Sequence, residues 1–292
     1  HGDTLVLLPQ YPARVGATDA RHVYGLSRSA LHRAVTDTTA PPLTPFRIPL
    51  VSRALDTHAA KYEGCEAIVF DGDQVFVLVE GQAEGKGMRG HLLRGQMHAS
   101  EPKIRINGRD EQALPQQAAL PNMSYEALLT RGDTLVTLFE ANGARVNPTP
   151  QAYRFSSTLA SRGSISFPTL EYRLTDATAL DAHERFWVIN YFYPGDRDVL
   201  RPATDSLARR FGMGPTHRDA EVVERLVEYK YTSTGVRRTG APPLWLRLDD
   251  DGGRNWEGIA RFGDGFLVAT DRFPTTILAY VPGRRSAQRE IE

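Results

Sequence analysis

An internal repeat constrains this chain more than any other feature. Three segments align without gaps: Cys65 to Glu80 (CEAIVFDGDQVFVLVE), Tyr125 to Glu140 (YEALLTRGDTLVTLFE) and Trp256 to Asp271 (WEGIARFGDGFLVATD). In each, an acid at the second position is followed fourteen residues later by another acid: Glu66 with Glu80, Glu126 with Glu140, Glu257 with Asp271. A weaker copy from Thr175 to Asn190 puts Asp176 and Asn190 at the same places. The opening run, Gly2 to Gln10, shares GDTLV with the second half of the Tyr125 copy and sets Gln10 opposite Glu140.

Each strong copy reads as a β-hairpin. A short apolar strand meets a Gly/Asp turn (Asp71-Gly72-Asp73, Arg131-Gly132-Asp133, Gly263-Asp264-Gly265), and a β-branched or aromatic strand follows. The second strand is nearly continuously apolar, as in Val75 to Val79, which predicts a sheet covered on both faces. Further strand-like runs lie between the copies: 45–51, 103–106, 152–155, 164–174, 226–232, 244–248 and 276–281. Short strands in a repeat of this spacing predict an all-β fold, a single β-propeller domain over residues 1–292 with hairpins at 2–10, 65–80, 125–140, 175–190 and 256–271. The reading gives five blades, or six if the long gap before Asp271 hides one; its first part, 203–225, reads as an insertion containing a helix. The first blade lacks an inner strand, and the tail from Ala287 to Glu292 is expected to close the ring.

In a hairpin, residues equidistant from the turn face each other, so the paired acids belong at the open end, on one rim. Around a ring axis Glu66, Glu126, Asp176 and Glu257 converge, with Gln10, Glu80, Glu140, Asn190 and Asp271 close by. Crowded carboxylates raise one another's pKa unless a cation neutralises them. All-oxygen ligands suit calcium first and magnesium second, and no histidine takes a ring position. The metal set expected is Glu66, Glu126, Asp176, Glu257, Asn190 and Asp271. The rival reading is a clasp, in which these acids cap backbone amides of the neighbouring blade without any ion.

Lys plus Arg equals Asp plus Glu at 35 each, so no overall basic field draws the chain to nucleic acid or an anionic membrane. No apolar run approaches the roughly 18 residues of a membrane span. A single cysteine, Cys65, allows no internal disulfide and no zinc cluster. The chain begins at His1, almost inside a strand-like run, as a processed end would; a secreted or periplasmic location is expected.

The phrases YEGCEAIVFDGDQVFVLVE and NWEGIARFGDGFLVATD resemble the blade signature of the phytase-type esterase-like propellers. The Glu-Gly phrase before a strand ending in Asp is similar to the gluconolactonase and senescence-marker family, and KYEGCE is similar to the calcium-activated apyrases, which are five-bladed. The resemblance implies calcium near a central channel and hydrolysis of esters, lactones or phosphoanhydrides. By residue matching it carries over Glu66, Glu126 and Glu257 as metal ligands. The chain departs from the lactonase pattern in having no pair of channel asparagines beyond Asn190.

The loops after the second ring position each hold an arginine (Arg14, Arg89, Arg145, Arg197, Arg272). Arg89, Arg145, Arg197 and Arg272 are candidates to grip an anionic substrate, although 31 arginines make such a coincidence cheap. The run Gly85 to Gly90 matches a dinucleotide fingerprint without its helix and reads as a glycine loop. Ser100-Glu101-Pro102-Lys103 mimics a serine–lysine motif, but proline opposes the helix it needs. His58, His98, His183 and His217 lie near acids, where a general base could stand. Two functions follow. One is a calcium-dependent hydrolase of a small anionic ester or phosphoester, with Glu80 or Glu140 as base. The other is a non-catalytic propeller that binds a protein or glycan partner.

Overall fold

The computed structural model describes residues 1–12, 21–52, 55, 62–83, 85–98, 100–249, 252–272 and 275–284. Arg14, His58 and the tail expected to close a ring lie outside the described residues. The chain divides into two compact units. Unit 1 is His1–Pro115 with Thr158–Ala160; unit 2 is Gln116–Ser157 with Ser161–Glu292.

Unit 1 holds β1 (Thr4–Leu7), β2 (His22–Ser27), helix α1 (Arg28–Thr36), β3 (Phe46–Ser52), β4 (Tyr62–Asp71), β5 (Gln74–Gln82), β6 (Met88–His98) and β7 (Glu101–Ala113). Two antiparallel meanders, β1-β2-β3 and β4-β5-β6-β7, meet where β3 runs parallel to β7. Unit 2 opens with β8 (Tyr125–Arg131), β9 (Thr134–Phe139), β10 (Gln151–Ser156) and β11 (Ser161–Ser166), then β12 (Arg173–Ala177) and β13 (Arg185–Phe192). Helices α2 (Arg197–Leu200) and α3 (Ser206–Phe211) precede β14 (Val223–Thr232), β15 (Gly235–Arg238) and β16 (Leu244–Trp245). The unit ends with β17 (Trp256–Phe262), β18 (Gly265–Thr270) and β19 (Leu278–Val281). Its meanders are β8-β9-β10-β11, β12-β13-β14-β15 and β17-β18-β19.

The fold is all-β, made of the up-and-down antiparallel sheets from which propeller blades are built. The hairpins fall where the repeat puts them. Asp71 pairs Gln74, Arg131 pairs Thr134 and Phe262 pairs Gly265, leaving two-residue loops that begin at Gly72, Gly132 and Gly263, with φ of 57°, 54° and 57°. Only glycine enters that region without steric cost, which is why the repeat keeps it there. Gly2, in the shared GDTLV phrase, has φ of 55°, and the Thr4 N–H donates to the His1 carbonyl at 3.1 Å.

The continuous apolar strands are the cores. Val75, Phe76, Val77, Leu78 and Val79 are all fully buried, and Phe186, Val188 and Ile189 match them in unit 2. Each such side chain contributes about 1.5–3 kcal/mol by leaving water. Two expectations need adjusting. Residues 85–87 are loop, but Met88 begins the long strand β6, so the glycine run is also a strand start. The run 164–174 is not one strand: it breaks after Ser166 at Phe167-Pro168, and Tyr172 takes φ of 75° before β12 begins.

Candidate functional site

A β-bulge sets the direction of each repeat acid. In β4-β5 the register runs Cys65↔Val79 and then Ala67↔Leu78, so Glu66 is the extra residue. Glu126 is extra in β8-β9, between Tyr125↔Phe139 and Ala127↔Leu138, and Glu257 in β17-β18, between Trp256↔Thr270 and Gly258↔Ala269. A bulge leaves one residue outside the ladder, twists the strand and re-aims its side chain. In β12-β13 the bulge sits one residue earlier, at Thr175, because Leu174 pairs Asn190 and Asp176 pairs Ile189. Asp176 therefore keeps ladder register where the other three acids do not.

That shift separates its role from theirs. Asp176 Oδ1 accepts the Ala177 N–H at 2.7 Å, and Oδ2 accepts the Ile259 N–H of β17 at 2.8 Å. Thr175 donates its hydroxyl to the Trp256 carbonyl at 2.8 Å. Asn190 donates its amide to the carbonyls of Glu171 and Arg173, and its Oδ1 accepts Arg225 Nε at 2.8 Å. Both side chains have their oxygens engaged by N–H donors.

Glu126, Glu140 and Glu257 come together, and what stands among them is Arg173. Its Nε donates to Glu140 Oε1 and one terminal nitrogen lies 3.4 Å from Glu257 Oε1. The guanidinium also lies 5.7 Å from the centre of the Tyr191 ring. Glu140 is fully buried and bonds to Glu126; its backbone N–H donates to Ser124 and its carbonyl accepts from Leu174. Burial pushes the Glu140 carboxyl up against the opposing pull of Arg173. Burial likewise pushes Glu257 up to about 7, helped by Asp271 and Glu140 and opposed by Arg173 and a bond from Asn255. Burial works against the charged Arg173, yet Glu140, Glu257 and Glu126 outweigh it and hold the guanidinium above its ordinary range. Asp196, between β13 and α2, is also pushed up by burial and pulled back by Arg173. The Glu257 side chain keeps 22% of its surface exposed and Arg173 keeps 16%, so the cluster opens to solvent through them.

Unit 1 repeats part of this pattern. The Cys65 N–H donates to the Gln10 carbonyl at 2.9 Å, much as the Leu174 N–H donates to the Glu140 carbonyl, one position earlier in its copy of the repeat. Glu66 and Gln10 crowd Gly64 so closely that a Cβ there would collide with both. Glu80 is 2% exposed. Glu66 and Glu80 belong to unit 1, the other acids of the expected ring to unit 2.

Arg145 donates to the Pro202 carbonyl, and Arg197 pairs with Glu221 at 3.4 Å and covers the Phe192 ring. Arg89 lies in β6, opposite Gly81. Arg272 is exposed at the end of the described stretch. His98 faces Asp73 at 3.3 Å on the surface of unit 1, and His183 lies exposed in the β12-β13 connection. His217 is fully buried against Trp245 and accepts the Glu224 N–H; burial and then Arg225 lower its pKa to about 4.

Among the described residues, no group of three or more His, Cys, Asp or Glu side chains is disposed to hold a metal ion. Sequence reasoning missed Arg173. It lies two residues before the aligned copy that begins at Thr175, opposite Tyr191, and one arginine among 31 carries no signal of its own.

No family profile matches the sequence. No curated protein matches it either. Solved structures of loosely similar fold include native Bacillus subtilis arabinanase, 12% identical with a TM-score of 0.48 over 96% of this chain and 91% of that one. B. megaterium levansucrase is 10% identical with a TM-score of 0.47, over 96% and 82%. A glucose dehydrogenase is 13% identical with a TM-score of 0.44, over 95% and 97%. Likenesses this loose carry no argument about activity, and the chemistry has to be read from the side chains.

Proposed function

We propose that the chain is a hydrolase whose acid–base site is the carboxylate cluster around Arg173, acting on an uncharged substrate such as a glycoside or a neutral ester. One observation carries the reading: a single guanidinium joins Glu140 of one hairpin to Glu257 of another, with Glu140 sealed and Glu257 open to solvent. Such an arrangement gives two carboxyl groups different environments, and so different protonation.

Glu257 is the acid. With its carboxyl pushed up to about 7 by burial, it holds a proton near neutrality and can pass it to a leaving oxygen. Asp271, whose charge acts on Glu257, is the base that takes a proton from water as the water oxygen bonds to the substrate carbon and the carbon–oxygen bond breaks. Arg173, anchored on Glu140, holds Glu257 in place. We assign the role of resident cation to Arg173 rather than to calcium. Asp176 and Asn190 are engaged by N–H donors, and no step needs a metal. Even with Glu257 holding its proton, Glu126, Glu140, Asp196 and Asp271 outnumber Arg173, so an anionic phosphoester would be repelled unless a cation came with it.

A panel of chromogenic glycosides, neutral esters and phosphoesters, with EDTA or calcium, tests the reading. Turnover of a neutral substrate in EDTA is expected, with Glu257→Gln lowering kcat by about 100-fold or more. Absence of turnover by the folded protein on every substrate would leave the second reading, a non-catalytic domain. The observation favouring that one is the Asp176 bond to Ile259, which ties two sheets together without chemistry.

A further inference from the structure

Glu224 of β14 is fully buried, and the roles above do not use it. Its Oε1 accepts two consecutive backbone N–H groups, Arg254 at 2.5 Å and Asn255 at 2.9 Å, in the turn that leads into β17. The turn descends onto Glu224 because residue 253 is glycine: a Cβ there would lie 2.7 Å from Val222 Cγ1 and 3.2 Å from Glu224 Oε1. The held residue, Asn255, has φ of 56°, a conformation costly for a side chain other than Asn, Asp or Gly.

Asn255 reaches both members of the proposed acid–base pair. Its side-chain amide donates to the Asp271 carbonyl at 3.1 Å, its own carbonyl accepts the Asp271 N–H at 3.1 Å, and its side chain bonds to Glu257. One buried carboxylate therefore sets one turn, and that turn sets the geometry of Glu257 against Asp271.

We propose that Glu224 is a positioning residue: by clamping the Arg254 and Asn255 amides it holds Asn255 where it aligns Glu257 with Asp271. The inference rests on the hydrolase reading above, and it adds a requirement that a purely structural carboxylate would not meet. The Glu224 oxygen acts through its acceptor geometry, so glutamine, which keeps a carbonyl oxygen at the same reach, should replace it and alanine should not.

The test compares Glu224→Ala, Glu224→Gln and Asn255→Gly with wild type in two readouts. Asn255→Gly keeps the positive φ and deletes only the side-chain link, so it serves if Glu224→Ala does not fold. In steady-state kinetics Glu224→Ala and Asn255→Gly should lose kcat by about tenfold or more with KM within about threefold, and Glu224→Gln should stay near wild type. In amide hydrogen exchange the Asn255 N–H, and the Asp271 N–H that donates to the Asn255 carbonyl, should lose protection in Glu224→Ala and keep it in Glu224→Gln, while Leu267 in β18 stays protected in all.

Exchange needs no substrate, so it judges the clamp even if the wild type turns nothing over, an outcome that would sink the hydrolase reading alone. Unchanged Asn255 exchange in folded Glu224→Ala overturns the clamp, as does loss of Asn255 protection in Glu224→Gln. With an active wild type, equal kcat loss in Glu224→Ala and Glu224→Gln overturns it too.

Discussion

Replacing Arg173 by alanine removes the only cation placed between Glu140 and Glu257 among the described ion pairs. Glu140 is fully buried, so its charge has no water to fall back on. Truncating one partner of a buried pair costs about 3–5 kcal/mol, because the other partner is stranded. For a structure of this size each kcal/mol is worth about 2–4 °C, so Tm should fall by about 6–20 °C at pH 8. The deficit should shrink at pH 5. Both carboxyls are already pushed up, and without Arg173 the main opposition to protonation is gone, so in acid they become neutral and the stranded charge disappears.

Thermal melts of wild type, Arg173→Ala, Glu140→Gln and the double variant, at both pH values, measure this directly. The double variant should recover about 2 kcal/mol or more relative to the sum of the single losses. A loss under about 1 kcal/mol at pH 8 would refute the reasoning, since a removed partner that buried must be felt. An equal loss at the two pH values would refute it as well, by showing that the deficit is lost packing rather than stranded charge.

Wild-type melts should be unchanged between EDTA and millimolar calcium, whereas Arg173→Ala should gain stability with calcium as the ion takes the vacated charge; differential scanning fluorimetry reads both. Asp176→Ala should cost about 1–3 kcal/mol by orphaning the Ile259 N–H, seen as faster exchange of that amide, and Asp176→Asn, which keeps one acceptor, should cost less. Glu224 and Glu257 are raised by burial to about 7 from an ordinary 4.5, so the folded state binds their protons more tightly than the unfolded chain does. Their contribution is complete below 4.5 and lost as pH rises through 7, so urea unfolding should show stability falling from pH 5 to pH 8.

The hairpins were legible because their cause is local. A glycine at positive φ and a continuous apolar strand are written in the residues themselves. The bulges were not, because an extra residue shows only against a partner strand. That is why Asp176 aligned with Glu126 in sequence but not in register: its hairpin bulges at Thr175 instead. The nearness of Glu126 to Glu140 followed from equidistance about their shared turn. The guanidinium that joins Glu140 to Glu257 did not, since Arg173 reaches the cluster from the strand of a different hairpin. Strand β6 stayed hidden because its start, Met88 to Gly90, shares the composition of the glycine loop before it.

The dependence of kcat/KM on pH tests the central claim most directly. With Glu257 as the acid, activity should fall as pH rises above about 7, the value at which that carboxyl loses its proton, and Arg173→Lys should move the limb. A profile flat from pH 5 to 9, or one that survives intact in Glu257→Gln, would contradict it.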